Sequence, residues 1–358
     1  MDMSFDTKAL GPLFELSPDA VLGIEDGVVL FSNPAAAALT GLREGDRADT
    51  VLPDEILSNP AERFSAACMI AGSSAELTVT RRDGRMLICI VDRSKQKPFP
   101  KMDRILAELG TGLASSNLAA DALLSGPEEK RLDSASILYR SLYRLWRLHS
   151  HLMLADCILH DALPCRRRFA DLRSICGDIC DSVGQTVRSL GYTIRFTAPE
   201  EPCYAMLDPE LIETMLLNLL TNSLLYTESG REIAVTLSVS GGRCVIAISD
   251  PGRGMDAGKL SSALGVLQGA ELTDTAAGSG LGLFIARGIV EAHEGTLILE
   301  SREGTGTSIR ISLPHIRSDG LSVLSQPRER RHLSGMDPIL TELSVFLDRS
   351  FYTENMFD

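Results

Sequence analysis

Two glycine-rich motifs constrain the fold of this chain more than any other feature. The first reads Asp-Pro-Gly-Arg-Gly-Met at 250–255, and the second reads Gly-Ser-Gly-Leu-Gly-Leu at 278–283. Gly252 and Gly254 have no Cβ, so the backbone there can turn sharply against a flat ligand. The second motif runs into an apolar helical stretch, which would aim free backbone N–H groups and a helix N-terminus at an anion. Together the motifs predict a site for a phosphate-bearing ligand.

Polar side chains are placed to complete this site. Residues 243–249 alternate like a buried strand, so Asp250 falls at the strand end with its carboxylate facing a cavity, where it can accept a hydrogen bond from an amino group of adenine. Asn218 and Asn222 are four residues apart, on one face of an otherwise apolar helix. An amide oxygen there can join the octahedral shell of a Mg²⁺ ion that also holds phosphate oxygens.

In this order the motifs make the segment from about Asp208 to Pro314 resemble the catalytic ATP-binding domain of sensor histidine kinases, a Bergerat fold shared with gyrase-type topoisomerases. The resemblance implies ATP and Mg²⁺ as ligands, with Asn222 on the metal. The ATP-binding residues that it implies are Asn218, Asn222, Tyr226, Asp250, Gly252, Gly254, Met255, Gly278, Ser279, Gly280, Leu281, Gly282, Leu283 and Thr307.

Upstream of this segment the chain divides into two further parts. Short strand patterns and an Arg-Asp-Gly-Arg hairpin turn at 82–85 resemble a PAS sensor domain. Two long helical stretches follow, with a polar break at 125–129, and they predict a helical hairpin. Leucines every three or four positions in the second stretch favour pairing of two hairpins into a four-helix bundle within a homodimer.

The predicted fold class is therefore multidomain α+β. It combines a PAS-like α/β sensor at 1–100, the two-helix hairpin at 101–165, a Bergerat-type α/β sandwich at 166–315 and a tail with an amphipathic helix at 316–358. The tail helix would dock on the protein itself or recruit a partner.

The hairpin departs from the family at the residue that normally accepts the phosphoryl group. Aligned on the family pattern, Thr111 stands where the histidine is expected. His149 and His151 in the second helix are the substitute candidates, since a neutral imidazole can accept a phosphoryl group near pH 7. A lysine common after the magnesium-binding asparagine is also replaced, by Leu225.

Three functional hypotheses stay open at this point. The first is a two-component histidine kinase that acts with a response regulator receiver domain. The second is a non-catalytic pseudokinase that uses nucleotide binding as a switch to bind a regulator or another kinase. The third is a kinase that phosphorylates serine or threonine, with Thr111 as a conceivable acceptor.

Composition and net charge limit the classes of partner and the cellular compartment that we expect for this chain. The net charge of −13 offers no basic surface, which argues against nucleic-acid binding. No run of apolar residues is long enough to span a membrane, and the eight cysteines suit reduced, partly buried thiols. A cytoplasmic location is expected.

Overall fold

The N-terminal part of the molecule is a five-stranded antiparallel sheet with two short helices. The computed structural model describes residues 14–92 except 16 and 18, and then 102–263, 281–316 and 336–352. The strands lie in the order β2-β1-β5-β4-β3. The elements are β1 (Ala20–Glu25), β2 (Val28–Ser32), α1 (Pro34–Thr40), α2 (Asp54–Leu57), β3 (Arg63–Ile70), β4 (Ser73–Arg82) and β5 (Arg85–Asp92).

Local sequence explains the turns of this sheet. The Asn33 side chain accepts the N–H of Ala36 and so caps α1, which ends at Gly41 in the left-handed region. Between β4 and β5, Asp83 and Gly84 have φ values of +51° and +79°. Aspartate and glycine tolerate these values, and the hairpin forms at the predicted turn.

Two long helices follow, α3 (Met102–Ser125) and α4 (Arg131–Leu159), joined by a short 3₁₀ turn at Glu128–Lys130. They lie closely side by side. A Cβ on Gly112 would come within 2.6 Å of the Leu145 side chain, so the missing side chain on α3 allows the close approach of α4.

The remaining part is an α/β layer structure. Its strands continue in the order β11-β12-β10-β9-β7, and alternate strand residues pack on three helices to form one apolar core. The elements are β6 (Arg168–Asp171), α5 (Leu172–Val187), β7 (Thr193–Thr197), β8 (Tyr204–Leu207), α6 (Pro209–Tyr226), β9 (Glu232–Ser240), β10 (Arg243–Asp250), α7 (Ala257–Ser262), α8 (Gly282–Ala292), β11 (Thr296–Arg302) and β12 (Gly306–Pro314). β6 pairs separately with β8.

The two sheets join into one of ten strands, because β3 pairs antiparallel with β11. Ala66 lies opposite Ile298, whose side chain enters the N-terminal core. Polar contacts flank this junction: Arg243 Nε lies 2.6 Å from Glu55 Oε1, and Ser74 Oγ donates to Glu291 Oε1 at 2.8 Å. The N-terminal sheet thus continues the sheet whose strand β10 ends at the first glycine motif.

The tail differs from the single amphipathic helix predicted for it. It has a short helix, α9 (Pro338–Glu342), followed by 3₁₀ turns at Leu343–Val345 and Arg349–Tyr352. Leu343, Leu347 and Tyr352 are all buried. One straight helix would bury a single stripe of side chains, whereas the turns allow side chains on several sides of the segment to enter the core.

No helix within the described ranges has the length and apolarity that a membrane crossing requires.

Candidate functional site

Helix α6 brings the two asparagines to the start of α8. Asp208 caps α6 by accepting the N–H groups of Glu210 and Leu211, which fixes the helix start at Pro209, nine residues before Asn218. Asn218 is 1% exposed, and its Nδ2 donates to the Thr214 carbonyl at 2.9 Å.

The other amide atom of Asn218 makes this place a candidate binding site. Its Oδ1 has no hydrogen-bond partner among the residues that the structure describes. An unpaired buried acceptor is costly, so such an atom points to a missing donor or cation. A Cβ at Gly282 would lie 2.9 Å from this oxygen and 3.4 Å from Asn222 Nδ2. The glycine therefore allows the start of α8 to pack closely against both amides.

Asp250 ends strand β10 and is held by hydrogen bonds from the first glycine motif and from helix α6. Its Oδ1 accepts the Gly252 N–H at 3.0 Å, and its Oδ2 accepts the Ser223 hydroxyl at 3.2 Å. Burial raises the pKa of the Asp250 carboxyl, and these hydrogen bonds oppose that rise. The carboxylate is fixed in orientation beside the helix that carries the asparagines.

The glycines of the first motif are required by close backbone approaches. A Cβ on Gly252 would lie 2.5 Å from the Tyr226 carbonyl oxygen. Gly254 has φ +64°, and a Cβ there would overlap the carbonyl oxygen of Arg302. Gly306, at φ +122°, meets the Asp250 carbonyl in the same way. The turn after Asp250 is thus locked against the β11–β12 hairpin.

Side-chain hydrogen bonds also hold the turn after Asp250 against the β11–β12 hairpin. Met255 N–H donates to Ser301 Oγ at 2.9 Å, and Ser301 Oγ lies 2.9 Å from Thr307 Oγ1. Thr307 also lies opposite Asp250 in the β10–β12 pair.

One contact at the site was absent from the sequence predictions. The Arg253 guanidinium lies over the Tyr226 ring, 4.5 Å from its centroid, and the Arg253 N–H donates to the Tyr226 carbonyl at 3.1 Å. Since a cation over an aromatic face is attracted to it, this pair ties the first glycine motif to the end of α6. The sequence analysis assigned no role to Arg253, which lies between Gly252 and Gly254.

Part of the second motif lies outside the described residues, namely Gly278, Ser279 and Gly280. Leu281 is buried just before α8, Gly282 is the first residue of that helix, and Leu283 packs against the core. The described end of the motif therefore lies against Asn218 and Asn222.

The three candidate acceptors have different surroundings. Thr111 is exposed on α3, and its hydroxyl donates to the Ala107 carbonyl at 2.8 Å. His149 is exposed on α4 beside Trp146, with ring centroids 5.3 Å apart. His151 is 2% exposed, and its Nε2 lies 2.9 Å from Glu342 Oε2. In this conformation His151 is closed to a phosphate donor.

His293 holds the end of α8 to the start of α6. Its Nδ1 lies 2.7 Å from the Ile289 carbonyl, and its Nε2 accepts the Asp208 N–H at 2.9 Å, an arrangement that needs the neutral ring. Burial lowers the pKa of His293 below its ordinary value of about 6.5. The imidazole therefore has a structural role next to the site.

Acid is expected to weaken the fold through His293. Because its pKa is lower in the folded chain, the unfolded chain takes up the proton first, and the stabilisation present above about pH 6.5 is lost as the pH falls below that value. His293→Ala should cost about 1 to 3 kcal/mol at pH 8 and flatten the pH dependence. Urea unfolding of both proteins from pH 5 to 8 measures this, and parallel profiles would contradict it.

Comparisons with known proteins agree with this geometry. Residues 207–317 match the family described as Histidine kinase-, DNA gyrase B-, and HSP90-like ATPase. The chain is 31% identical over 186 residues to Sensor histidine kinase YvrG of Bacillus subtilis (strain 168), covering 52% of this chain and 32% of that protein. It is 31% identical over 195 residues to Sensor histidine kinase ZraS of Escherichia coli (strain K12), covering 54% and 40%. The chain thus spans less than half the length of these relatives.

Solved histidine kinase structures are also similar to this chain, at lower sequence identity. The Acinetobacter baumannii histidine kinase AdeS has a TM-score of 0.45 and 18% identity, over 58% of this chain and 96% of that one. Histidine kinase ThkA, solved in complex with response regulator protein TrrA, has a TM-score of 0.42 and 18% identity, over 86% and 98%. Residues 207–317, which carry the paired asparagines, Asp250 and the glycine turn, thus belong to the family of histidine kinase-, DNA gyrase B- and HSP90-like ATPases, and the chain is similar to sensor histidine kinases over about half of its length.

Proposed function

We propose that this protein binds Mg-ATP between α6 and α8 and works in two-component signalling, where it transfers a phosphoryl group or gates that transfer. The observation that carries the proposal is the buried Oδ1 of Asn218, which has no hydrogen-bond partner among the described residues and lies beside Gly282 at the start of α8, close to Asn222. A buried amide oxygen next to a helix N-terminus suits a cation bound together with an anion.

Each residue has a distinct role in this proposal. Asn222 would be a ligand of Mg²⁺, and Asp250 would accept a hydrogen bond from the adenine amino group. Bound Mg²⁺ would neutralise phosphate charge, which with positioning is the main requirement of phosphoryl transfer. Gly252 and Gly254 allow the tight turn that would shape the base pocket, and the N-terminus of α8 would face the phosphates.

The weak point of the site is its lack of a lysine at position 225. Leu225 cannot supply a charge-assisted contact to phosphate, and the loss of one such contact costs about 1.5 to 3 kcal/mol. Binding should be weaker for this reason, and it should depend more strongly on Mg²⁺.

The alternative function is a pseudokinase that uses nucleotide as a switch. Thr111 replaces the expected histidine, and His151 is buried beside Glu342. These two observations favour capture of a response regulator or of another kinase over direct histidine phosphorylation.

The domain organisation and the homodimer belong to the same proposal. The strand order β2-β1-β5-β4-β3 with intervening helices supports a PAS-like sensor within residues 1–100. Apolar side chains are exposed on both hairpin helices, and a second copy would cover them in a four-helix bundle. They are Leu106, Leu109, Leu113, Leu142, Trp146 and Met153. A scattering mass measurement that gave a monomer would contradict the bundle.

The deciding experiment is incubation of the chain with Mg²⁺ and γ-labelled ATP, with the product divided between acid and alkali. Label that is lost in acid and kept in alkali indicates phosphohistidine, and label that survives acid indicates phosphothreonine or phosphoserine. No label, together with ATP binding in the same sample, supports the pseudokinase. Absence of ATP binding would overturn the proposal. The cytoplasmic location stays a prediction.

A further inference from the structure

The tail segment 337–352, here named the tail latch, lies between helix α4 and the ATP-binding domain. Asp337 caps its short helix by accepting the N–H groups of Ile339 and Leu340. Seven large apolar or aromatic residues of the latch are buried or partly buried in the same core as the ATP-binding domain. They are Ile339, Leu340, Leu343, Phe346, Leu347, Phe351 and Tyr352.

A buried charge cluster anchors the latch to α4. Arg147 Nε donates to Glu342 Oε1 at 2.8 Å, and His151 Nε2 lies 2.9 Å from Glu342 Oε2. The three side chains are no more than 8% exposed. Burial opposes the charged carboxylate, but Arg147 and then His151 outweigh it and hold the pKa of Glu342 at about 2. Removing one member of such a cluster leaves an uncompensated buried charge.

Aromatic contacts extend the latch to both of its neighbours. The Tyr352 ring lies 5.1 Å from that of Tyr143 on α4, and its hydroxyl donates to the Leu340 carbonyl at 2.9 Å. Phe346 meets Tyr192 edge-on at 5.2 Å. Tyr192 in turn donates to the Thr227 carbonyl, immediately after Tyr226 at the end of α6. The latch therefore contacts both the hairpin and the helix of the asparagines.

We infer that the tail latch is an autoinhibitory clamp that fixes helix α4 to the ATP-binding domain, so that movement of this domain along the hairpin requires its release. The clamp also covers His151, which only release would expose. α4 also packs directly on α8, where a Cβ on Gly288 would lie 2.6 Å from Ile158.

The test compares two variants of the full chain by hydrogen exchange. Glu342→Gln leaves Arg147 without its counter-charge in a buried place, whereas Arg349→Ala breaks only the exposed pair with Asp133, at 2.9 Å. Exchange in 337–352 and in 143–154 should rise on the order of 100-fold in the first variant. It should rise no more than about fivefold in the control. Unchanged exchange after Glu342→Gln, or a released tail with α4 as protected as before, would overturn the clamp.

A second experiment works in trans and does not depend on a folded point variant. A chain that ends at 335 is mixed with a synthetic peptide of residues 336–352. The peptide should restore protection of α4, and the same peptide with Glu342→Gln should fail to do so at tenfold higher concentration. Equal protection by both peptides contradicts the anchoring role of Glu342. ATP binding measured on these samples tests the proposed function separately, because the latch contacts do not involve nucleotide.

Discussion

Gly254→Ala is expected to destabilise the ATP-binding domain by about 2 to 5 kcal/mol. An alanine at φ +64° costs about 1 to 2 kcal/mol. In addition, its Cβ would overlap the Arg302 carbonyl oxygen, and overpacking typically costs about 1 to 3 kcal/mol. The clash is with backbone at the end of β11, so no side chain can rotate to relieve it. Native-state amide exchange in β10 and β12 measures this loss.

Gly304→Ala is the matched control for this effect. Gly304 lies in the turn between β11 and β12 with φ +74°, but a Cβ there would meet no atom within 4 Å. Only the backbone strain remains, so the loss should be about 1 to 2 kcal/mol. Equal losses in the two variants would contradict the packing argument and leave strain as the whole effect.

Asn222→Ala is expected to weaken Mg-ATP binding on the order of 100-fold, since a charge-assisted contact contributes up to about 3 kcal/mol. The fold should change little, because Asn222 is only half-buried. The measurement is calorimetric titration with ATP in the presence of Mg²⁺ and again with a chelator. The variant should lose most of the benefit of Mg²⁺ and bind free ATP nearly as the natural chain does.

Thr214→Ala, two turns earlier on the same helix, controls for general damage to α6. Its hydroxyl donates only to the Glu210 carbonyl, at 2.9 Å. Affinity for Mg-ATP should stay within about threefold of the natural chain, the range of a surface substitution. A loss after Asn222→Ala that is the same with and without Mg²⁺ would remove Asn222 from the metal site while leaving the nucleotide site in place.

The parts of the site that lie close together in sequence were predictable. Residues 243–249 alternate, and the structure places Asp250 at the last position of β10. Asn218 and Asn222 are one helical turn apart, and helix geometry alone puts them on one face. The hairpin turn at Asp83 and Gly84 follows from the φ values that these residues tolerate.

Other features depend on contacts that no local pattern encodes. The pairing of β3 with β11 uses backbone groups at strand edges, which are the same for every residue. The contact of Arg253 with Tyr226 arises where a turn meets a helix end. The tail helix stopped at Glu342 because the following side chains enter a core made by distant residues.

The sequence by itself determined which residues could form a nucleotide site, because glycine, asparagine and aspartate act through local geometry and chemistry. Tertiary structure decided which of these groups are buried, unpaired or covered. Asn218 Oδ1 is removed from water without a protein partner among the described residues only in the folded chain. Glu342 contacts Arg147, which is 195 positions away in the sequence. Desolvation and long-range contact belong to the folded chain, so burial of His151 and continuity of the ten-stranded sheet had no signal in the sequence.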